Sequence, residues 1–501
     1  MFFTMDAGSF LFYAYLACMT VLFVFSMHNF IMIYYFLKHR DDHPQPSEDW
    51  VHLPEEKLPV ITIQLPIFNE STVAERLILA TSQLDWPKNK LEIQVLDDST
   101  DDTVQLTRAC VERLAAQGYM IRLFHRTDRK GYKAGALREA LEHAHGEFVA
   151  IFDADFIPEK DFLRKAMPHF SQSRIGMVQS RWGYLNEDFS MLTKTQAIGL
   201  NGHFVIQQLA RNRAGFFINF NGTGGIWRKS CITDAGNWHD DTLTEDLDLS
   251  YRAQLKGWKF VYLNDIVVPG ELPIGIHALK TQQFRWTKGS VETAKKLVPK
   301  ILKAELPMWT KIQSLFHLTA NFSYIFVVIS CLLNSSILFL HNENGRFNVI
   351  LDIMAVFVLS MLGLFIFFFY SEKMINPNWK KKMIILPVLM MGSIGLSISN
   401  AKAVIEGFFD IKSSFVRTPK WGTMKRKEKT RFHGVKLDAL FLIELLFLAF
   451  ILVSLVVGIR NYYTEKANFI GMIFFNVWIL VGFSMVVFLS LKHFYDNRAS
   501  A

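Results

Sequence analysis

The sequence predicts an α/β domain on a parallel sheet, carried in a chain of membrane-spanning helices. Three observations point there. Apolar runs long enough to cross a bilayer lie near both ends of the chain. Residues 41–311 contain no such run. Within that middle stretch, short β-rich runs alternate with helical patterns, which is the signature of a parallel sheet covered by helices.

The membrane part rests on length and composition. Of 501 residues, 50% are hydrophobic and 45 are Phe. That excludes a disordered chain and exceeds what a soluble enzyme needs. About 20 apolar residues make one span. Residues 10–37, 315–340, 349–370, 439–459 and 469–491 meet that length, giving five expected spans. The first run lacks a basic start and a small-residue cleavage site, so it reads as a span and not as a signal peptide. Residues 383–396 are apolar but short, and suit an interfacial or re-entrant segment.

Charge sets the expected orientation. The net charge is +8. Basic residues cluster after the first run (Lys38, His39, Arg40), at Lys380 to Lys382, and across residues 412–436. The positive-inside rule places these in the cytosol, and the middle stretch with them. The excess charge is thus explained by loops beside spans, with no nucleic-acid partner. Four scattered Cys exclude a disulfide scaffold and a CxxC zinc site. The expected organisation is an N-terminal span over 1–40, a cytosolic domain over 41–290 and a membrane region over 291–501.

In the middle stretch, residues 60–65, 93–96, 121–124 and 148–152 read as strands. Residues 72–84, 103–117 and 134–144 read as the helices between them. Parallel sheets bind ligands beyond the carboxyl ends of their strands. Asp97 and Asp98 follow the second strand, and Asp153 and Asp155 follow the fourth. Such carboxylates suit a hard cation shared with phosphates, Mg²⁺ or Mn²⁺. A lone pair of this kind is also an ordinary turn, but two acidic clusters after two strands favour the cation. Lys133, between Gly131 and Gly135 before a helix, suits an anion, although the string is neither a P-loop nor a dinucleotide fingerprint.

Thr244, Glu245 and Asp246 open another helix. They read either as a cap with acidic residues in the first turn or as a carboxylate poised as general base. Gln282, Arg285 and Trp286 precede the second span. They read as interfacial anchors, or as sugar-stacking and phosphate-pairing groups. Glu444, inside an apolar run, is left open.

In order, Asp97-Asp98, Asp153-x-Asp155, Thr244-Glu245-Asp246 and Gln282-x-x-Arg285-Trp286 resemble the motif series of membrane-embedded family 2 glycosyltransferases, the processive β-glycan synthases. Residues 415–420, with Phe415, Arg417, Thr418 and Lys420, are similar to the gating loop of cellulose synthases. The strings at 94–101, 131–137, 220–223 and 256–260 are similar to the plant cellulose-synthase-like A and C proteins, and FNGT stands where cellulose synthases usually read FCGS.

The resemblance implies a GT-A, Rossmann-like domain and an inverting β-glycosyltransferase. It would polymerise a glucan or mannan from UDP-glucose or GDP-mannose and extrude it through its own channel. It implies that Glu70 and Asp98 help hold the donor's nucleobase and ribose, that Asp97 also belongs to the donor site, and that Lys133 meets the diphosphate. Asp153 and Asp155 would meet the metal-bound diphosphate, and Asp246 would be the base. Gln282, Arg285 and Trp286, with Gly222 and Thr223, would line the acceptor end. The implied setting is a bacterial inner membrane or a eukaryotic Golgi or plasma membrane, with partner subunits across the envelope to receive polymer. The alternative enzyme is a non-processive transferase acting on a lipid, akin to ceramide glucosyltransferase. The loop-like segment at 415–420 argues against that. A pure transporter with a degenerate domain would have lost the acidic set, which is filled here.

Overall fold

The computed structural model describes residues 6–340, 358–412, 418, 420–422, 438–465 and 470–498. Its sheet has seven strands: β1 (Ile61–Ile67), β2 (Leu91–Asp97), β3 (Met120–His125), β4 (Phe148–Ile151), β5 (Ile175–Tyr184), β6 (Gly225–Arg228) and β7 (Lys259–Gly270). Their order is β3-β2-β1-β4-β6-β5-β7. The first four strands are parallel, with Ile63 opposite both Ile93 and Ala150. The expected helices fall between them at Ala74–Ser82, Thr103–Ala116 and Tyr132–Glu142.

The sheet is mixed rather than parallel throughout. β6 runs antiparallel to both β4 and β5, while β5 and β7 pair in parallel. β6 is four residues long, too short to show alternation in sequence. Alternation along β4 sends Phe148 and Ala150 to one core layer, with the Ala74–Ser82 helix, and Val149 and Ile151 to the other, with the Tyr132–Glu142 helix. A sheet buried on both faces holds the ends of its strands rigidly, and the acidic residues sit at those ends.

Among the described residues, four helices are long and apolar enough to cross a membrane: Gly8–His39, Met308–Ile337, Ala439–Thr464 and Ile470–Asp496. The expected third span lies partly outside the described residues; its described part is the helix Val358–Ile375. The short segment expected to be interfacial or re-entrant is one arm of a bent pair. Trp379–Gly395 and Ser397–Phe408 meet at 46°, as in a re-entrant loop or a broken span. Glu444 is fully buried in the Ala439–Glu465 helix, where Lys280 Nζ donates to its two carboxylate oxygens at 2.8 and 2.6 Å. This pair ties that helix to Ile276–Lys303, which carries Gln282, Arg285 and Trp286.

Candidate active site

Asp153 lies just past β4, and its backbone N–H donates to Thr223 Oγ1 at 2.9 Å. Lys133, one residue into the Tyr132–Glu142 helix, reaches across to Asp153 Oδ1 at 2.5 Å and to the Gly222 carbonyl at 2.9 Å. Gly222 has φ +78°, and a Cβ there would lie 3.2 Å from Asp246 Oδ2 and 3.4 Å from Lys133 Nζ. A side chain there would press on Asp246, and the left-handed backbone already favours glycine.

Asp246 sits in the first turn of the helix Glu245–Leu255. The Leu247 N–H donates to its Oδ1 at 2.8 Å. Thr244 holds the capping position without a side-chain cap bond, and its hydroxyl instead meets Thr293 Oγ1 at 3.2 Å. Burial, then the neighbouring charge of Glu245, pushes the Asp246 carboxyl up to about 7, against the pull of Lys133. Burial also raises Glu245. Burial disfavours the charge on Lys133, but Asp153, Glu245 and Asp246 outweigh it and hold its pKa above the ordinary value. Asp246, raised toward neutrality beside the Lys133 cation, is the kind of group expected where a proton is to be moved.

Asp155 is buried. Its Oδ2 accepts from the Glu271 N–H at 3.1 Å and from Lys420 Nζ at 2.7 Å. Lys420 belongs to a described stretch that lies against the site. Trp421 and Gly422 N–H groups donate to Glu271 Oε2 at 3.3 and 3.2 Å, and Thr72 Oγ1 donates to the Lys420 carbonyl at 3.2 Å. Arg76 completes the partners of Glu271 at 2.9 Å. Arg285 Nη2 donates to Thr418 Oγ1 at 3.1 Å, so the Ile276–Lys303 helix touches the same stretch. Phe415 and Arg417 lie outside the described residues.

At β2 the two acidic residues separate. Asp97 is fully buried; it accepts from the Ser99 N–H at 2.9 Å and the Thr107 hydroxyl at 3.0 Å. That makes it a fastener between the strand end and the Thr103–Ala116 helix. Asp98 takes a two-pronged bond from Arg126, at 2.8 and 2.7 Å. Glu70 lies beyond β1, where Asn69 adopts φ +52° and the Phe68 N–H donates to Glu70 Oε2 at 3.3 Å. Arg129, 3.2 Å above the Phe68 ring, adds a cation beside Asp98.

Gln282 and Trp286 are one helical turn apart and share a face. Both line a cavity of about 1980 Å³, whose wall also includes Asp246, Trp182, Asn334 and Trp478. Trp182 and Trp286 face each other with ring centroids 6.4 Å apart. The cavity thus reaches from the helix that carries Asp246 to helices of the membrane region.

For a divalent cation, Asp153 and Asp155 fit by donor chemistry. Each is a strand-end carboxylate already matched to an ammonium, from Lys133 and Lys420. A cation there would neutralise phosphate oxygens. A second acidic cluster, His239, Asp241 and Asp248, brings its ligand atoms within 4.8 Å of one another and is likewise matched to an ammonium. Lys296 Nζ sits among its ligand atoms at 3.0, 2.7 and 2.9 Å. Sequence reasoning missed Arg126, Trp182 and Glu271. Glu271 directly follows β7, so reading that strand would have exposed it.

A sheet with acidic residues at its strand ends, beside a cavity that runs from Asp246 to helices of membrane-crossing length, fits a membrane glycosyltransferase of family 2. Residues 59–289 match Glycosyltransferase like family 2, and residues 229–490 match Cellulose synthase. Glucomannan 4-beta-mannosyltransferase 7 of Arabidopsis thaliana is 32% identical over 458 residues, covering 88% of this chain and 79% of that one. Glucomannan 4-beta-mannosyltransferase 1 of Oryza sativa subsp. japonica is 42% identical over 293 residues. That match covers 57% of this chain and spans about half the relative's length, 55%. A mannosyltransferase of Pyrobaculum calidifontis, solved with GDP-Man and Mn²⁺, shares the fold at TM-score 0.52 and 18% identity, over 80% of this chain and all of that one. The chain belongs to the cellulose synthase family of membrane glycosyltransferases, in its cellulose-synthase-like branch.

Proposed function

We propose that this protein polymerises a β-mannan-type glycan from GDP-mannose and passes the product through its own membrane region. The observation that carries this reading is the cavity, which joins the Asp246 carboxylate to helices of membrane-crossing length. A transferase with a small acceptor has no need of a void that large behind its base. The choice of mannose rests on the activity named for the plant relatives.

In the proposed reaction the domain faces the cytosol, where nucleotide sugars are supplied. Lys133 meets the donor's diphosphate, and Glu70 and Asp98 help set its nucleoside. Asp153 and Asp155 would hold a divalent cation, which supplies charge neutralisation for the leaving diphosphate. Asp246 accepts the proton of the acceptor hydroxyl, and Trp286 and Trp182 give the acceptor ring an aromatic wall. Thr418 and Lys420 bring their stretch against the donor side.

Membranes containing the protein should be supplied separately with labelled GDP-mannose and UDP-glucose. The reading expects alcohol-insoluble label from GDP-mannose that an endo-β-mannanase releases. Label extracted into organic solvent would support the lipid-acceptor enzyme instead, and polymer from UDP-glucose alone would move the donor to glucose.

A further inference from the structure

Arg211 lies in the short helix Leu209–Arg213, which continues the π-helical turn Gly202–Gln208. Its side chain lines the large cavity and is 3% exposed. Its buried Nε and Nη1 have no hydrogen-bond partner among the described residues. A guanidinium has no neutral form to retreat to, so burying one unpaired is strongly unfavourable. The titratable neighbours that act on it do not balance it. Burial lowers its pKa to about 10, which leaves it charged, and raises Tyr251, which stays a neutral phenol. Burial and Arg211 itself hold His203 down at about 4, so that imidazole is neutral. His28 and His317, also on the cavity wall, bring no negative charge.

We propose that Arg211 is the anchor of an anion site, and that its ligand is a phosphate group carried by a membrane lipid. A neutral glycan offers hydroxyls but leaves the charge uncompensated, whereas a phosphate matches the planar fork of the guanidinium. The rest of the cavity wall decides between a lipid and a soluble phosphate. The same cavity is lined by Met19, Leu22 and Phe25 of the first span and by Val327 of the Ser323–Ile337 helix. A cavity that holds an unpaired cation and is also walled by apolar residues of two spans fits a head group with its acyl chain.

The test reads binding and not transfer, so it stands apart from the proposed polymerase activity. The full chain is reconstituted in phosphatidylcholine with added phosphatidic acid, then exchanged into detergent. Retained phospholipid is measured by mass spectrometry. A parallel arm adds inorganic phosphate to lipid-stripped protein and follows its melting temperature. Wild type is expected to retain phosphatidic acid. Arg211→Gln should retain it about tenfold less, the loss expected for one charge-assisted contact. Gln207→Glu keeps Arg211 but gives it a carboxylate one turn away, and should release the lipid as fully without loss of fold. Stabilisation by inorganic phosphate with no lipid retained would make the ligand a soluble phosphate. Equal lipid retention by wild type and Gln207→Glu, or no response in either arm, would overturn the site.

Discussion

Lys420 Nζ lies 2.7 Å from Asp155 Oδ2, joining residues 265 positions apart. The contact puts an ammonium on one of the two carboxylates that suit a divalent cation. It also fastens a stretch far along the chain to the end of β4. The same stretch is held by Glu271 through two backbone N–H groups and by Arg285 through Thr418. One stretch thus contacts the end of β4, Glu271 after β7 and the Ile276–Lys303 helix.

Lys420→Ala should loosen that stretch from Asp155 and, by leaving a buried carboxylate without its cation, also lower the melting temperature. A hydrogen bond to a charged group contributes about 1.5–3 kcal/mol, so roughly a tenfold to hundredfold loss in transfer is expected. The check is initial rate against donor concentration in detergent-solubilised protein. A rate equal to wild type at every concentration would leave the stretch a passive cover.

Transfer should also stop when divalent cations are chelated and return when Mg²⁺ or Mn²⁺ is restored. Two carboxylates facing a diphosphate repel it, and two lysines are already matched to those carboxylates. Asp153→Asn should raise the metal concentration needed for half-maximal rate. Full activity in chelator would remove the cation from the scheme.

Much of this site was legible in the sequence, for a physical reason. Residues at strand ends are exposed to ligand by topology, so reading four strands was enough to place Asp98, Asp153 and Asp155 at the ends of β2 and β4. What was not legible depends on contacts across long separations. Nothing near Asp97 announces that Thr107 and Ser99 take up its carboxylate. Nothing near Glu444 announces Lys280, 164 positions away. The reversal of β6 was hidden because four residues carry too little periodicity to fix a direction.

The Lys280–Glu444 pair gives a stability prediction. Breaking a buried pair by removing one partner leaves an uncompensated charge and costs about 3–5 kcal/mol. Lys280→Met alone should therefore lower the melting temperature clearly. The double variant Lys280→Met, Glu444→Leu should recover much of that loss, since no lone charge remains. A double variant as unstable as the single one would mean that packing, not charge, makes the contact matter.

The protonation of Asp246 predicts how rate depends on pH. A base must be unprotonated to act. Its carboxyl is pushed up to about 7, by burial first and Glu245 second. The rate should therefore fall as pH drops through about 7 and level off above it. Removing the neighbouring charge in Glu245→Gln lowers the pKa of Asp246, which moves the fall to lower pH. A pH profile unchanged in that variant would separate the two carboxylates.

Asp246→Asn tests the assignment of the base directly. A sugar hydroxyl is a poor nucleophile until its proton has somewhere to go, and a positioned carboxylate typically contributes about 10²–10⁴-fold by accepting it. Asn keeps the size, and its carboxamide oxygen can still accept the Leu247 N–H that Asp246 Oδ1 accepts now at 2.8 Å. Gly222 leaves the space beside it unchanged. Folding and donor binding should therefore survive, and donor affinity should not fall, because a carboxylate has been removed from beside Lys133, the residue proposed to meet the diphosphate. Only transfer should collapse, by the factor above. The measurement is labelled-sugar incorporation together with nucleotide affinity on one preparation. Transfer within a few-fold of wild type would make Asp246 part of the helix terminus alone, and the proton would have to leave by another group.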